Sequence, residues 1–360
     1  MILRDWCAPI KNRTMYDVVE IWGVYPPPIG GISVYCKRLT DMLHDMDSSV
    51  TMKNFGRSRS DCAYVKDVRS PFWELFRLPF IKRRIIHVQF RNMLFLSALC
   101  ITGWKHKIVI TLHNRKMLLE EGWRGRMSRL FLNRADAIIF NDPSFTGLLN
   151  KKFGTDIHKM TVLPAFIPPS EDEKRGVTPE IERFCQRYRY TISSNASILM
   201  RNMYGDVYGF DQLIGMMDIL VNRNGMDVGV VFLVSEIGDE KLFEEGMKRI
   251  ETLGLKERFL ITVGSDVNGY EVWERTDLFV RATSTDMEGI SVKEALFSGT
   301  PAIASDVCSR PPEAVLYHNG DVEELAGKSM EILESGKRVV YEPHEDVPLR
   351  IMEIYNSIRP

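Results

Sequence analysis

Short apolar runs alternate with longer helical segments along this chain, and this alternation constrains the fold more than any other feature. In the first half, runs with strand character cover residues 18–24, 85–90, 107–112, 137–141 and 160–163. Segments with helical character, such as 33–43 and 124–133, lie between them. Strands that alternate with helices form parallel sheets covered by helices on both faces.

The second half repeats this plan after a proline-rich stretch at 164–169, which is typical of an interdomain linker. Its strand-like runs cover residues 190–193, 228–234, 259–263, 277–280 and 301–304. We therefore predict an α/β protein with two doubly wound, Rossmann-like domains that face a cleft. The predicted parts are an N-terminal domain at 1–168, a C-terminal domain at 169–340, and a C-terminal helix within 341–360 that is a candidate to cross back to the first domain.

The overall net charge of −1 hides a strong asymmetry between the two halves. Residues 1–170 carry 26 Lys and Arg against 14 Asp and Glu, a net charge of +12. The other 190 residues carry 21 basic and 34 acidic side chains, a net charge of −13. This pattern predicts two domains with different partners, and an anionic partner for the first.

The chain has the pattern of a cytoplasmic protein. No window reaches the roughly 18–20 apolar residues of a membrane-spanning helix. The N-terminal 14 residues carry charges where a signal peptide needs an apolar stretch. The cysteines are scattered, without metal-ligand spacing, which is typical of reduced thiols: Cys7, Cys36, Cys62, Cys100, Cys185 and Cys308.

The segment from residue 281 to 301 carries the richest chemistry. Gly289 is predicted to open a helix, whose first N–H groups suit a phosphate. Asp286 precedes this helix and can point toward a sugar, while Glu294 within it can accept hydrogen bonds from two ribose hydroxyls. Arg281 ends a strand, where a cation can neutralise a diphosphate leaving group.

A structural interpretation of the same acids is also open. Asp286 and Glu288 can simply cap the helix, and Glu294 can be an ordinary surface residue. The combination of acids, glycine and arginine at this spacing favours a site.

This segment resembles the signature of glycosyltransferase family 4, whose members are retaining enzymes of GT-B fold. The signature has two acids separated by seven residues, here Asp286 and Glu294, with Gly289, Gly299 and Pro301 in register. Further similarities are a Gly-Gly loop after the first strand and a histidine at a strand end, and the resemblance spans about residues 18–335. The RxTxTD pattern that ends at Asp286 is similar to a branch that assembles bacterial capsule or O-antigen.

The resemblance implies transfer of a sugar from a nucleoside-diphosphate donor to a hydroxyl of a lipid-linked saccharide, at the inner face of the plasma membrane. The first domain would then hold the acceptor, and the second the donor. We predict the catalytic residues to be Asp286 and His113, as the resemblance implies, together with Arg281 at the strand end. The predicted donor-binding residues are Glu294, Gly289, Ile290, Ser291, Val292, Gly30, Gly31 and, in place of a missing cation, Arg201.

The sequence departs from the family pattern at two points. The first acid is Asp286, one methylene shorter than the usual Glu. The family also places an Arg and a Lys after the first strand of the second domain, where this chain has Tyr208 before Gly209. We expect Arg201 or Arg281 to replace the missing cations.

Other patterns bear on cofactors and partners. Asp45 and Asp47 form a DxD triplet, but it ends a helix rather than a strand, so no metal site is expected. The sequence PIGGIS lacks the full dinucleotide fingerprint, so NAD is not expected. No cofactor is expected, because the nucleotide-diphosphate sugar is a substrate. Aromatic-basic stretches at 72–84 and 122–134 favour an anionic membrane surface over nucleic acid as partner.

Two alternatives remain open at this point. One is a noncatalytic GT-B homologue that binds a nucleotide sugar or a partner, because the usual Arg and Lys are missing. The other is a GT-B epimerase or phosphorylase that acts on a soluble sugar, although no lysine context for pyridoxal phosphate is evident.

Overall fold

The fold is taken from a computed structural model of the chain, which describes residues 18–27, 30–90, 92–170, 173–174, 176–203, 205–264, 267–286, 288–343 and 345–359. The chain divides into two compact units. The first comprises the chain up to residue 28, residues 32–165 and residues 345–360. The second comprises residues 29–31 and 166–344.

The first unit is built on a parallel sheet. Its described strands are β1 (Val19–Gly23), β2 (Val50–Asn54), β3 (Val65–Asp67), β4 (Ile85–Val88), β5 (Lys107–Leu112), β6 (Ala137–Phe140) and β7 (Met160–Val162). They lie in the order β3-β2-β1-β4-β5-β6-β7, and each neighbouring pair is parallel. The order reverses between β1 and β4, so the carboxyl ends of these strands form the crevice where ligands bind in such sheets.

Helices connect these strands, and buried side chains fix them to the sheet. They are α1 (Gly31–Met46), α2 (Pro71–Arg77), α3 (Met93–Thr102), α4 (Gly122–Arg134) and α5 (Ser144–Phe153). Every residue of β1 and β4 is buried, as expected for strands covered on both faces. Caps define the helix starts: the Ser70 hydroxyl accepts from the N–H of Trp73, and the Asn92 amide oxygen from that of Phe95.

The second unit has its own parallel sheet. Its described strands are β8 (Tyr190–Leu199), β9 (Arg201–Asn202), β10 (Gly205–Asp206), β11 (Val228–Ile237), β12 (Phe259–Val263), β13 (Leu278–Arg281), β14 (Ala302–Ser305) and β15 (Val315–Tyr317). The sheet order is β12-β11-β8-β13-β14-β15, all parallel, and β9 and β10 form a separate antiparallel hairpin. Here the order reverses between β8 and β13.

The helices of the second unit are α6 (Pro179–Arg187), α7 (Phe210–Met217), α8 (Glu240–Thr252), α9 (Gly269–Trp273), α10 (Ile290–Phe297) and α11 (Val322–Ser335). Gly209, which precedes α7, has a φ of 66°, and a Cβ there would lie 2.0 Å from the carbonyl oxygen of Ala282. Only glycine therefore lets α7 start so close to the end of β13.

The last helix, α12 (Val347–Ile358), belongs to the first unit although it follows the second in the chain. The Asp346 carboxylate caps it by accepting from the N–H of Leu349. Its Ile351 and Tyr355 side chains are fully buried. The C-terminal segment thus supplies core residues to the N-terminal part of the chain.

The predicted α/β class with two doubly wound parallel sheets is confirmed. The strand predicted at 190–193 is longer, because β8 runs to Leu199 through Ser193, Ser194 and Asn195. These polar residues obscured it in the sequence, but the Ser193 hydroxyl is satisfied at 2.7 Å from that of Thr276.

The described residues contain no helix that is long and apolar enough to cross a membrane. The described cysteines, Cys36, Cys62, Cys100, Cys185 and Cys308, are all free. Cys7 and the charged residues of the N-terminal 14 lie outside the described residues.

Candidate active site

A buried cluster of charges lies at the carboxyl ends of β13 and β14. One oxygen of Asp286, Oδ2, accepts from Nε of Arg281 at 3.1 Å and from Nη1 of Arg310 at 2.9 Å. The Thr283 hydroxyl lies 3.4 Å from the same oxygen. The side chains of Asp286 and Arg281 are each 12% exposed, and that of Arg310 is 0% exposed. Two guanidinium groups and one carboxylate therefore share a nearly dry environment.

The charges in this cluster stabilise one another. Burial by itself would raise the pKa of Asp286, but Arg281 and Arg310 outweigh it and hold this pKa well below its usual range. Burial likewise opposes the charge of Arg281, yet the neighbouring Asp286 carboxylate raises the Arg281 pKa. Asp286 is therefore ionised at neutral pH. Because arginine side chains are not deprotonated in proteins, one carboxylate between two guanidinium groups gives the cluster a net positive charge.

Arg310 is a residue that the sequence reasoning missed. It lies in the loop between β14 and β15, and its Nε donates to the carbonyl oxygen of Ser305 at 3.3 Å. The sequence shows an arginine shortly after β14. Because β14 is parallel to β13, the carboxyl ends of both strands lie at the same edge of the sheet, and this could have indicated that Arg310 lies near Arg281.

Gly289 lets the Arg310 guanidinium lie close to the backbone at the start of α10. Gly289 has a φ of 65°, and a Cβ there would lie 2.0 Å from Nη1 of Arg310 and 3.2 Å from Oδ2 of Asp286. Any larger residue would push the guanidinium away, besides being strained at this φ. Helix α10 then begins at Ile290, where its first N–H groups carry partial positive charge.

The other predicted donor-binding residues lie in the first two turns of α10. Ser291 and Val292 are buried, and the N–H of Val292 donates to the carbonyl oxygen of Gly289 at 2.9 Å. Glu294 lies in the second turn and is partly exposed. The neighbouring Glu288 is paired with Lys293.

The two candidates for the missing cations differ in their surroundings. The Arg281 guanidinium lies 5.1 Å from the ring centroid of Tyr208, the residue that stands where the family has Lys. Its Nη1 also donates to Oδ1 of Asn195 at 3.0 Å. Arg201 lies on β9, with its side chain 38% exposed and paired with Glu245 and Asp239.

In the first unit, His113 directly follows the carboxyl end of β5, the strand beside β4. Its Nε2 is 2.9 Å from Oε1 of Gln89, which follows β4, and its ring meets that of Tyr35 edge-on at 5.2 Å. Burial lowers the pKa of His113 to about 4, so the ring is neutral at pH 7. A small cleft here is lined by Ile32, Gln89, Phe90, Ile110, Thr111, Leu112, His113 and Asn114.

The Gly-Gly pair and the DxD triplet both lie at ends of α1. Gly30 precedes α1, and Gly31 is the first residue of that helix. The DxD triplet straddles the end of α1, where the Asp47 carboxylate accepts from the N–H of Ser49 at 2.9 Å. Within the residues that the structure describes, no group of three His, Cys, Asp or Glu side chains is placed to hold a metal ion.

Comparisons with known proteins agree with this fold. The model of "Glycosyltransferase Family 4" matches residues 29–171, and that of "Glycosyl transferases group 1" matches residues 193–341. No curated protein matches the chain in sequence.

Solved structures are similar over nearly the whole chain. HepE of Anabaena, solved with UDP-glucose, has a TM-score of 0.62 and 14% identity, and the match covers 88% of this chain and 90% of that one. WaaG, described as a glycosyltransferase involved in lipopolysaccharide biosynthesis, has a TM-score of 0.60 and 14% identity over 95% and 94%. Sucrose-phosphate synthase of Thermosynechococcus elongatus has a TM-score of 0.59 and 14% identity over 95% and 94%.

Two Rossmann-like units, each with a parallel sheet, and the family matches to both halves define a glycosyltransferase of the GT-B type that uses nucleotide sugars. Within that class, the chain belongs to the family 4 type.

Proposed function

We propose that this enzyme transfers a sugar, with retention of anomeric configuration, from a nucleoside diphosphate to a hydroxyl of a lipid-linked saccharide. The single observation that carries the donor half of this proposal is the cluster of Asp286, Arg281 and Arg310 against Gly289. The Arg310 guanidinium lies against Gly289, where α10 begins, and Arg281 bonds to the same Asp286 oxygen. Phosphate binds to the first amides of a helix and to guanidinium groups.

The donor is proposed to bind with its diphosphate on the amides of Gly289, Ile290 and Ser291. The N–H of Val292, which was also predicted to bind the donor, is already used in its bond to the Gly289 carbonyl oxygen. Arg281 and Arg310 would face the phosphates, and the Glu294 carboxylate would accept hydrogen bonds from the ribose hydroxyls. Arg281 and Arg310 then take the place of the Arg and Lys that the family has elsewhere. Arg201 is less well suited, because Glu245 and Asp239 already neutralise it.

Catalysis is proposed to consist of positioning and stabilisation of the leaving group. As the bond between the sugar and the diphosphate breaks, negative charge grows on the departing phosphate. A guanidinium pair fixed by Asp286 stabilises that charge without having to reorganise. We expect turnover to be independent of divalent metal ions, since these cations and amides supply the positive charge.

His113 is proposed to face the reacting sugar from the first unit. With its pKa lowered to about 4, it is neutral at pH 7 and acts as a hydrogen-bonding group rather than as a cation. Gly30 and Gly31, which lack a Cβ, are proposed to let the backbone approach donor and acceptor closely.

The acceptor half of the proposal rests on an exposed apolar surface of the first unit. α3 contacts both α2 and α4, and these helices with their flanking residues present large apolar side chains to solvent. They are Phe72, Trp73, Phe76, Phe80, Leu94, Ile101, Trp104, Leu119, Trp123 and Leu130, with exposures between 47% and 82%. Exposed apolar side chains concentrated on neighbouring helices favour an interaction site.

Basic residues lie beside this apolar surface. Lys82 and Arg83 follow Phe80 and are exposed, and the exposed Arg124 lies 5.5 Å from the ring centroid of Trp123. Aromatic side chains with basic neighbours suit the interface of an anionic membrane. We propose that the enzyme binds there peripherally, on the cytoplasmic side, and builds capsule or O-antigen saccharide in a bacterium.

Reversing two of these charges is expected to release the protein from acidic vesicles. We predict that the double variant Lys82→Glu and Arg83→Glu binds at least about thirtyfold more weakly, because each cation contributes about 1 kcal/mol. Arg84 is left unchanged, since it pairs with the buried Glu20 at 2.6 Å and its reversal would disturb the fold. Co-sedimentation with acidic and neutral vesicles across a salt series measures the effect.

The matched control reverses Lys241 and Lys256, whose side chains are 79% and 71% exposed on the second unit. This control should bind like the wild type. Equal release of both variants, or equal binding of the wild type to neutral and acidic vesicles, would contradict a membrane role for the surface on α2 to α4.

The class of donor is tested by thermal shift of the full chain with UDP, GDP, CMP and dTDP sugars. One nucleotide family should raise the melting temperature in proportion to the logarithm of its concentration. A melting temperature that none of them changes would contradict a donor site on α10. The noncatalytic alternative predicts binding without turnover.

A further inference from the structure

A chain of buried hydrogen bonds leads from His113 to the C-terminal helix. Gln89 lies between two histidines, with its Oε1 2.9 Å from Nε2 of His113 and its Nε2 3.0 Å from Nε2 of His87. Nδ1 of His87 is 2.6 Å from the hydroxyl of Tyr355 on α12. His87, Gln89 and Tyr355 are 0% exposed.

The orientation of the Gln89 amide decides which group donates in each of these hydrogen bonds. Its oxygen can only accept, so Nε2 of His113 carries the proton and donates to it. Its NH₂ group donates to Nε2 of His87, which must then be unprotonated. The proton of neutral His87 therefore sits on Nδ1 and is donated to the Tyr355 hydroxyl.

One further contact and two pKa shifts are consistent with this direction. The Thr111 hydroxyl lies 2.7 Å from Nε2 of His87 and can donate to it. Burial, assisted by His113, lowers the pKa of His87 to about 3, and burial raises the Tyr355 pKa well above its usual value. Both groups therefore stay neutral, and the chain of bonds keeps its direction.

This direction leaves Nδ1 of His113 as an acceptor. The described residues provide no hydrogen bond to that atom, and His113 lines the cleft at the carboxyl ends of β4 and β5. A neutral imidazole with its proton on Nε2 offers a lone pair at Nδ1, to which a hydroxyl donates.

We propose that Tyr355, His87 and Gln89 are positioning residues that hold His113 in the Nε2–H tautomer, so that its Nδ1 accepts a hydrogen bond from a saccharide hydroxyl. The hydroxyl belongs to substrate, so this inference rests on the function proposed above. It makes α12 a part of the active site, although Tyr355 lies 268 residues from His87 in the sequence.

A flipped Gln89 amide would give the other tautomer of His113. If the amide of Gln89 were flipped, its NH₂ group would donate to Nε2 of His113, and the proton of that ring would move to Nδ1. His113 would then donate to the saccharide. The tautomer of His113 therefore decides between the two directions.

The deciding measurement is a ¹H–¹⁵N spectrum of the full chain labelled with ¹⁵N-histidine. It distinguishes the two tautomers and needs no substrate. The wild type should show His113 with its proton on Nε2 and His87 with its proton on Nδ1. His113 with its proton on Nδ1, or a protonated His87 at pH 7, would overturn the proposal.

Tyr355→Phe removes only the hydroxyl. His87 then loses the acceptor for its Nδ1 proton, so the tautomers of His87 and His113 should become mixed. We expect kcat for release of the nucleoside diphosphate to fall about tenfold with little change in KM, the size of one lost neutral hydrogen bond. Unchanged tautomers in this variant would also overturn the proposal.

The matched control is Tyr317→Phe in the second unit. Tyr317 is 1% exposed, and its hydroxyl donates to Oε1 of Gln212 at 2.9 Å. This variant should lose similar stability but keep the histidine spectrum and kcat. Equal effects of both variants on kcat would show that Tyr355 contributes only to stability.

Gln89→Leu covers the case in which Tyr355→Phe does not fold. It removes the central link, so it should leave His113 as a mixture of tautomers. If no nucleotide sugar is turned over but the tautomers behave as expected, the proposed function fails while the assignment of the hydrogen-bond chain stands.

Discussion

Asp286→Asn is expected to have the largest effect on both stability and turnover. The substitution keeps the shape of the side chain but removes the charge between Arg281 and Arg310, whose side chains are 12% and 0% exposed. Two buried guanidinium groups without a carboxylate should lower the free energy of unfolding by about 3–5 kcal/mol. Urea unfolding measures this loss.

The same variant should turn over about a hundredfold more slowly. Without the carboxylate, the two guanidinium groups repel each other and Arg310 no longer stays fixed against Gly289, so stabilisation of the leaving group is lost. Donor affinity should change less than kcat, because the loss acts on the transition state. Wild-type stability together with wild-type turnover would contradict the role given to this cluster.

A surface ion pair provides the matched control. Glu257 pairs with Arg187 at 3.1 Å, with the two side chains 74% and 54% exposed. Glu257→Gln also removes one carboxylate from an Arg, but water screens this pair, so its effect on stability should be small.

The pH dependence of stability gives an independent check. The folded-state pKa of Asp286 is lower than its unfolded-state value of about 3.9. Its contribution is therefore fully present above about pH 4 and is lost as the pH falls through the lower folded-state pKa. The wild type should lose stability in this acid range, and Asp286→Asn should lack that component.

Glu294→Gln is expected to weaken donor binding by about 10- to 150-fold. Charge-assisted hydrogen bonds from the ribose hydroxyls contribute about 1.5–3 kcal/mol, and the amide keeps the size of the side chain while removing the charge. Isothermal titration calorimetry with the nucleoside diphosphate measures the change without requiring turnover.

A glutamate on another helix of the same unit serves as control for Glu294. Glu331 lies on α11 and is exposed, so Glu331→Gln should bind the nucleotide like the wild type. If a folded Glu294→Gln protein has unchanged affinity, Glu294 does not contact the ribose.

The alternation of apolar runs was sufficient to predict the sheets, because central strands that are buried on both faces are almost wholly apolar. The run at 107–112 coincides with β5 for this reason. Strand β2, with the sequence VTMKN, was not predicted because Lys53 and Asn54 interrupt its apolar pattern. Both are buried and bonded: Lys53 pairs with Glu74, and Asn54 donates to Asp67.

Some residues of the candidate site could be predicted from the sequence, and others could not. Arg281, Asp286 and Gly289 are close in sequence, so their spacing alone predicted that they act together. Arg310 bonds to Asp286 across 24 residues, and Tyr355 bonds to His87 across 268. A single sequence contains no local pattern that relates such distant residues, because their proximity depends on the order of the strands and on the return of the C-terminal helix.

The most direct test of the central claim is the release of nucleoside diphosphate from the nucleotide sugar that the thermal-shift screen selects. The full chain is assayed with EDTA, with and without a lipid-linked saccharide acceptor, beside Asp286→Asn and Glu294→Gln. We predict release by the wild type that the acceptor stimulates, that EDTA does not abolish, and that both variants reduce. A protein that binds the nucleotide sugar yet releases no diphosphate under any of these conditions would contradict the account and identify a noncatalytic binding protein.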